Sequence, residues 1–133
     1  MNLNYKSSPF KSKSGLQRLA RALRYSLQGL QAALKHEAAF RQELALASIM
    51  GAAAVWLGRS VLEVVVLLAT VLLVLVAELL NSAVEALADA VSIEPHPLIG
   101  RAKDIGSAAV LLTLVFSGLV WFAVLADRWQ WFA

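Results

Sequence analysis

The hydrophobic and polar residues of this chain follow helical spacing from about residue 15 onward. Between residues 15 and 36, leucines recur every three or four positions and most arginines lie on the other side, which predicts an amphipathic helix. Three apolar segments follow, at about 38–58, 61–91 and 103–126. Residues 105–126 contain no ionisable side chain, and they match the roughly 20 residues that a bilayer core requires. The pattern predicts three transmembrane helices preceded by an amphipathic surface helix.

The composition supports a membrane protein. Of the 133 residues, 59% are hydrophobic and 16% are charged, against about 45–50% and about 25% in soluble domains. A soluble chain this small could not bury so much apolar surface. The absence of cysteine excludes disulfides and thiolate sites. Because residues 1–14 are polar and rich in serine and lysine, we expect a polar tail there and a single integral-membrane domain over 15–133.

The distribution of charge predicts the topology. Eight of the twelve basic residues precede residue 44, which places the N-terminus in the cytoplasm. The connection at 59–63 is then external, and the loop at 93–104 returns to the cytoplasm. A basic amphipathic helix is typical of an anionic membrane surface, although an ordinary solvated helix is the alternative. An aromatic belt at the external interface is predicted from four tryptophans: Trp56, Trp121, Trp129 and Trp131.

A polar stripe closes the second apolar segment. Its members are spaced 3, 1, 3 and 4 residues apart, so a helix places them on one side: Glu78, Asn81, Ser82, Glu85 and Asp89. Lipid penalises each carboxylate by a few kcal/mol, so the stripe should face a bundle interior or a wet cleft. Carboxylates suit magnesium that arrives with substrate phosphates. The alternative is a polar seam that only joins helices through Asn81 and Ser82.

Charged residues also flank the first and third spans. Glu37 and Arg41 have the i, i+4 spacing of an ion pair, and Glu43 follows them; taken alone, this is typical of a solvated helix end. Arg101 and Lys103 lie near the start of the third helix, where its dipole favours phosphate.

The prolines of the loop at 93–104 and the absence of common motifs limit the possible structures and functions. Pro95 and Pro97 predict an irregular loop before the third helix, and Gly106 belongs to a small-residue face that permits close helix approach. The sequence contains neither a phosphate-binding glycine loop nor a zinc-protease motif. The sequence also lacks a stripe of basic residues with interleaved aromatics, which is the pattern that indicates nucleic-acid binding.

Three segments, HEAAFRQE, AELLNSAVEALAD and GRAKDIGSAAV, together resemble the prokaryotic diacylglycerol kinase family. The resemblance covers residues 15–126. It implies an all-α homotrimeric bundle in the bacterial inner membrane, each chain having three transmembrane helices and an N-terminal surface helix. It also implies transfer of the ATP γ-phosphoryl group to the primary hydroxyl of diacylglycerol, with Mg²⁺ bound as MgATP.

The resemblance implies roles for individual residues. Glu78 would be the general base, Glu37 and Glu85 would bind the metal, and Asn81 and Asp104 would support the site. The residues assigned to the nucleotide are Arg18, Tyr25, Glu94, His96, Lys103 and Asp104. The residues assigned to the lipid substrate are Arg41, Glu43, Trp56 and Ser107.

The sequence departs from its relatives at two positions. Pro95 stands where relatives often have tyrosine, and Leu27 stands where close relatives have tryptophan. A sister branch of the family phosphorylates undecaprenol, which is the alternative acceptor; the Gly-Ser-Ala-Ala run at 106–109 favours diacylglycerol. Two alternatives belong to other classes: a small proton-relay or transport subunit, and a structural adaptor whose polar stripe only drives assembly.

Overall fold

The computed structural model describes residues 15–92 and 94–130, and this part of the chain forms four α-helices. These are α1 (Gly15–His36), α2 (Ala38–Leu57), α3 (Val61–Val91) and α4 (Pro97–Arg128). Of the described residues, 15–36 form one compact unit, and 37–92 with 94–130 form a second. The prediction of an all-α protein is confirmed. The expected tail at 1–14 and Trp131 of the expected aromatic belt lie outside the described residues.

α1 is an amphipathic helix whose boundaries agree with the prediction from leucine spacing. Its leucines are exposed, from Leu16 at 81% to Leu34 at 43%. The basic residues of its last turn, Lys35 and His36, complement the negative end of the helix dipole.

The turn between α2 and α3 is set by a glycine and a serine. A Cβ added to Gly58 would lie 2.3 Å from Val64 Cγ2, so only a residue without a side chain fits there. Ser60 then caps α3, because its hydroxyl accepts a hydrogen bond from the Glu63 backbone N–H at 3.2 Å. The two helices consequently pack side by side after a short connection.

α3 and α4 are long and apolar enough to cross a membrane, with mean hydropathies of 2.7 and 2.4 over their best windows. α2 is not one of these helices, since Arg41 and Glu43 interrupt its first turns. At 1.5 Å per residue, α3 extends over about 46 Å, which exceeds the roughly 30 Å of a hydrocarbon core. Two of the three predicted spans are therefore supported by length and composition.

The start of α4 corrects the predicted loop. α4 begins at Pro97 rather than near residue 103, so the prediction that Pro97 prevents a helix was wrong. Proline is favoured in the first helical turn because its missing N–H would have no partner there and its φ suits a helix. His96 caps the helix through Nδ1, which accepts a hydrogen bond from the Leu98 N–H at 3.2 Å. Gly100 consequently lies within the helix.

The core of the second unit lies where α3 packs against both α2 and α4. Its buried cluster contains one residue of α2, two of α3 and one of α4: Ala54, Leu67, Val71 and Trp121. The assignment of Trp121 to an aromatic belt was wrong, because its side chain is only 8% exposed. α4 is apolar on all sides, and periodicity in such a helix does not show which side faces a neighbour. Trp56 and Trp129 are exposed, at 79% and 53%, as an aromatic belt requires.

A polar contact joins α3 and α4 midway along their length. The Ser117 hydroxyl donates a hydrogen bond to Thr70 Oγ1 at 3.2 Å, and the Thr70 hydroxyl donates to the Leu67 carbonyl at 2.8 Å. Both side chains are buried. The pair satisfies two hydroxyls that would otherwise be costly in an apolar environment.

The end of the bundle that carries the α2–α3 turn is held by ionic contacts. Arg59 forms salt bridges with Asp127 of α4 and with Glu63, the latter at 3.1 Å. The hydrogen bonds that Arg59 donates to Asp127 and Glu63 raise its pKa, and the one to Asp127 has the larger effect. Arg128 donates a hydrogen bond to the Leu57 carbonyl, which satisfies one of the free carbonyls at the end of α2. These contacts join the α2–α3 turn to the end of α4.

Candidate functional site

The polar stripe of α3 passes from the interior to the surface as the helix approaches its C-terminus. Glu78 and Ser82 are buried, at 5% and 8% exposure. Asn81 and Glu85 are half-buried, and the side chain of Asp89 is 70% exposed. The predicted stripe thus lies on the packed side of α3, and its most buried carboxylate is Glu78.

Three other carboxylates act on Glu78 electrostatically. Electrostatic repulsion acts on it from Glu43, Glu85 and Glu37, in decreasing order. None of the salt bridges found in the described part of the chain includes Glu78 or Glu85. Burying a carboxylate among like charges is costly unless a cation compensates it. The electrostatics of this region therefore suit a positively charged ligand.

The Asn81 side chain lies between Glu85 of the stripe and Gly106 of α4. Its Nδ2 donates a hydrogen bond to Glu85 Oε1 at 3.0 Å. Its Oδ1 and the Ser82 hydroxyl are buried without a hydrogen-bond partner in residues 15–92 and 94–130. The hydrogen bond of Asn81 is made to another residue of α3. Among the described residues, neither Asn81 nor Ser82 therefore forms a side-chain hydrogen bond to α4. The small-residue face at Gly106 does permit close approach, because a Cβ there would lie 2.4 Å from Asn81 Oδ1.

The carboxylates assigned to the metal can be compared with the ligands that magnesium usually has. Within the described residues, no group of three or more His, Cys, Asp or Glu is arranged to hold a metal ion. Magnesium usually binds through one or two carboxylates together with substrate phosphates and water. The two carboxylates assigned to it, Glu37 and Glu85, both act on Glu78. The donor set fits a metal ion that is delivered with phosphate.

The α3–α4 connection forms a cleft of about 660 Å³. Glu94, His96 and Lys103, three of the residues assigned to the nucleotide, line it together. Lys103 Nζ donates to Asp89 Oδ1 at 2.9 Å across the cleft. Asp104 is exposed on the next position of α4 and is not part of this lining. The cleft thus brings one cation and one imidazole to the same end of the bundle as Glu85.

Sequence reasoning missed two functions in this region. Asp89 was predicted as a stripe residue, and its pairing with Lys103, 14 positions away, has no local sequence signal. His96 was predicted as a nucleotide contact, and its additional role as the N-cap of α4, through Nδ1, was not predicted. An N-cap position directly before Pro97 was the available signal for the second of these.

The remaining nucleotide residues lie on α1, in the first compact unit. Arg18 and Tyr25 are exposed, Tyr25 at 51%. They are seven residues apart, so they project from the same side of the helix.

The residues assigned to the lipid substrate do not form one cluster. Arg41 and Ser107 are exposed, while Glu43 is half-buried and lines a groove of about 150 Å³ together with apolar side chains of α2, α3 and α4. Trp56 lies near the other end of α2 from Arg41, about 22 Å along the axis. Trp56 and Arg41 therefore lie too far apart to meet at one reacting group.

Comparison with known proteins identifies the family. The family model described as prokaryotic diacylglycerol kinase matches residues 24–125. A diacylglycerol kinase of Haemophilus influenzae is 46% identical over 112 residues, which cover 84% of this chain and 95% of the relative. One from Pseudomonas aeruginosa is 46% identical over 118 residues, covering 89% and 96%, and one from Escherichia coli strain K12 is 43% identical over 112 residues, covering 84% and 92%. The chain therefore belongs to the prokaryotic diacylglycerol kinase family.

Proposed function

We propose that this protein transfers the γ-phosphoryl group of ATP to the primary hydroxyl of diacylglycerol, which yields phosphatidic acid and ADP. The observation that carries the proposal is the burial of Glu78 in an apolar helix, at 5% exposure, beside three other carboxylates. A role in packing alone would not favour this arrangement, because like charges repel. Membership of the family and the names of the relatives support the same activity.

Glu78 is the proposed general base. Its carboxylate accepts the proton of the lipid hydroxyl while the hydroxyl oxygen bonds to the γ-phosphorus and the bond to the bridging β–γ oxygen breaks, releasing ADP. The lipid hydroxyl lies at the membrane interface, and Glu78 lies about 10 Å deeper along α3 than Glu85. Its burial, at 5% exposure, limits the access of competing water to the base.

The charged end of the bundle is the proposed nucleotide site. Glu85 and Glu37 would hold the Mg²⁺ of MgATP, which, when bound, neutralises charge on the phosphate oxygens. Asn81 orients Glu85 through its hydrogen bond. Lys103 contacts the phosphates, Glu94 and His96 line the cleft, and the exposed carboxylate of Asp104 supports the phosphate-binding segment. We assign Arg18 and Tyr25 of α1 to the nucleotide as well.

We assign the lipid substrate to the apolar surfaces of the helices rather than to the charged end of the bundle. Glu43, which lines a groove with apolar side chains, is the proposed polar contact at the glycerol backbone, together with Arg41. Ser107 lies one position after Gly106 on α4 and is assigned to the same acceptor. Trp56 is assigned to the far part of the lipid, because it lies near the other end of α2.

The membrane arrangement is also a proposal. We place the N-terminus and the cleft in the cytoplasm of a bacterium, α1 on the inner-membrane surface, and α2 as a third span. α3 is longer than a hydrocarbon core by about 16 Å, so its last turns, with Glu85 and Asp89, extend into the aqueous layer. One three-helix chain offers little room for ATP, lipid and metal, which favours sites shared between subunits; the homotrimer itself is what the resemblance to the family implies.

A detergent-micelle assay with labelled ATP tests the activity. Diacylglycerol, undecaprenol and ceramide are compared as acceptors at equal mole fraction, and label in the lipid phase is measured. We expect transfer to diacylglycerol in preference to the others. Preferred transfer to undecaprenol would assign the chain to the other branch of the family. A separate measurement in liposomes tests the alternative of a proton-relay or transport subunit, for which we would expect proton flux without ATP consumption.

A further inference from the structure

α3 and α4 approach closely where the Asn81 side chain lies against Gly106. An ideal Cβ at position 106 would lie 2.4 Å from Asn81 Oδ1 and 3.4 Å from its Cγ. A carbon–oxygen distance of 2.4 Å is well inside van der Waals contact, so a methyl group at 106 would displace the amide. The other two glycines of α4, Gly100 and Gly118, have no such neighbour within 4 Å. Gly106 is therefore the α4 glycine that cannot accept a side chain.

The amide of Asn81 is held from two sides. Nδ2 donates to Glu85 Oε1 at 3.0 Å, while Oδ1 is buried on the side of Gly106 and has no hydrogen-bond partner among the described residues. The reversed amide would place its oxygen against the Glu85 carboxylate, and two acceptors repel. The carboxylate thus sets the orientation of the amide, and the space at Gly106 allows that orientation.

We infer that Gly106 is a positioning residue of the active site, which acts through Asn81 on the Glu85 carboxylate. The inference rests on the proposed function for the role of Glu85. A methyl group at 106 pushes Oδ1 away from α4, which moves Nδ2 relative to Glu85 and misplaces that hydrogen bond. The Glu85 carboxylate then loses the contact that orients it toward the metal and the phosphates.

A packing role for Gly106 predicts a different result. If Gly106 only sets the distance between α3 and α4, replacing it would harm the protein whether or not Asn81 carries an amide. If Gly106 acts through Asn81, the effect depends on the amide. A double-mutant cycle separates these cases, because it measures whether two changes act independently.

The test uses the full chain and four variants: Gly106→Ala, Asn81→Ala, the double variant, and Gly51→Ala in α2 as the control at another contact with α3. The measurements are kcat and KM for MgATP with diacylglycerol, the Mg²⁺ concentration at half-maximal rate, the Kd of a non-hydrolysable ATP analogue with Mg²⁺, and Tm. We expect Gly106→Ala to lower kcat about 10- to 100-fold, as for a misplaced hydrogen bond to a charged group, and to raise the Mg²⁺ requirement. Gly51→Ala should stay within about twofold of wild type, since its added Cβ would lie 3.7 Å from Leu68 Cδ2, which is an ordinary van der Waals contact.

The cycle decides the inference. Adding Gly106→Ala to Asn81→Ala should cause no further loss in kcat or analogue affinity, because the clashing amide is already gone. Multiplicative losses, or a Gly106→Ala variant that behaves like Gly51→Ala, would overturn the inference. If Gly106→Ala alone does not fold, the double variant should fold and match Asn81→Ala; a double variant that also fails to fold would overturn it.

Failure of the proposed function gives a distinct result. If the wild-type chain does not phosphorylate diacylglycerol, the kinase assignment fails. The analogue-binding cycle still reports whether Gly106 and Asn81 are coupled.

Discussion

Replacing Glu78 with glutamine separates catalysis from stability at the centre of the proposed site. The two side chains have nearly the same size, so Glu78→Gln fits the same buried position, at 5% exposure in the wild type. The substitution removes one negative charge and the ability to accept the lipid proton. We expect turnover to fall while folding is preserved.

Two magnitudes follow from the geometry. A positioned general base contributes about 10²- to 10⁴-fold to the rate, so kcat should fall by that factor. Glu85 lies about 10 Å from Glu78 along α3, and a unit charge pair at that distance repels by up to about 2 kcal/mol at an effective dielectric constant of about 20. Removing this repulsion should leave Tm unchanged or raise it.

The assay measures phosphatidic acid from labelled ATP in mixed micelles, together with the Kd of a non-hydrolysable ATP analogue and Tm. Glu63→Gln is the matched control, because it makes the same chemical change near the other end of α3, where Glu63 pairs with Arg59. We expect Glu63→Gln to retain turnover within about twofold. Both variants should bind the ATP analogue like wild type.

Turnover of Glu78→Gln within about tenfold of wild type would refute the assignment of Glu78 as the base. A marked fall in Tm would refute the electrostatic reasoning, because it would mean that the charged carboxylate stabilises the fold. Loss of activity in Glu63→Gln as well would show that any charge change in α3 is harmful, and the site assignment would lose its support.

Further predictions concern the cleft, the core and the turn. Lys103→Ala should raise KM for ATP about tenfold with a smaller effect on kcat, as steady-state kinetics will show; an unchanged KM would exclude a phosphate contact. At an ATP concentration well below the KM of Lys103→Ala, mixed Glu78→Gln and Lys103→Ala chains should be more active than the two variants assayed separately if sites are shared between subunits, whereas no gain on mixing would exclude sharing. Ser117→Ala should reduce the free energy of unfolding by about 0.5–1.5 kcal/mol without changing kcat, because it removes the hydrogen bond to Thr70; equal stability of the two proteins would contradict this. Gly58→Ala should lower Tm, because its Cβ would lie 2.3 Å from a Val64 methyl group; a Tm equal to that of wild type would contradict the packing described for the turn.

Much of the candidate site could be predicted from the sequence. Spacings of 3, 1, 3 and 4 place the polar residues of α3 on one side in any regular helix, and the cost of carboxylates in lipid predicts that this side is packed. The structure confirms both points, with Glu78 and Ser82 buried. The specific roles of Glu78, Glu85 and Lys103 came from the resemblance to a family and stay predictions.

Contacts between helices could not be predicted in the same way. The pairing of Lys103 with Asp89 and the contact of Gly106 with Asn81 join positions 14 and 25 residues apart, and nothing in local periodicity relates them. Trp121 was assigned to the membrane interface because an apolar helix gives no sign of its packed side, and the structure places it in the core. Pro97 was read as a helix breaker, although in the first turn it favours the helix.

The sequence by itself determined the helices of this protein, its hydrophobic character and the order of the charges along α3. Each of these depends on neighbouring residues, either through helical periodicity or through transfer from water to an apolar environment. Only the tertiary structure decided which carboxylates act on Glu78, which cation lines the cleft and where a glycine is required. Those features depend on the rotation and spacing of α2, α3 and α4 against one another, which side-chain packing sets and single-helix patterns do not contain.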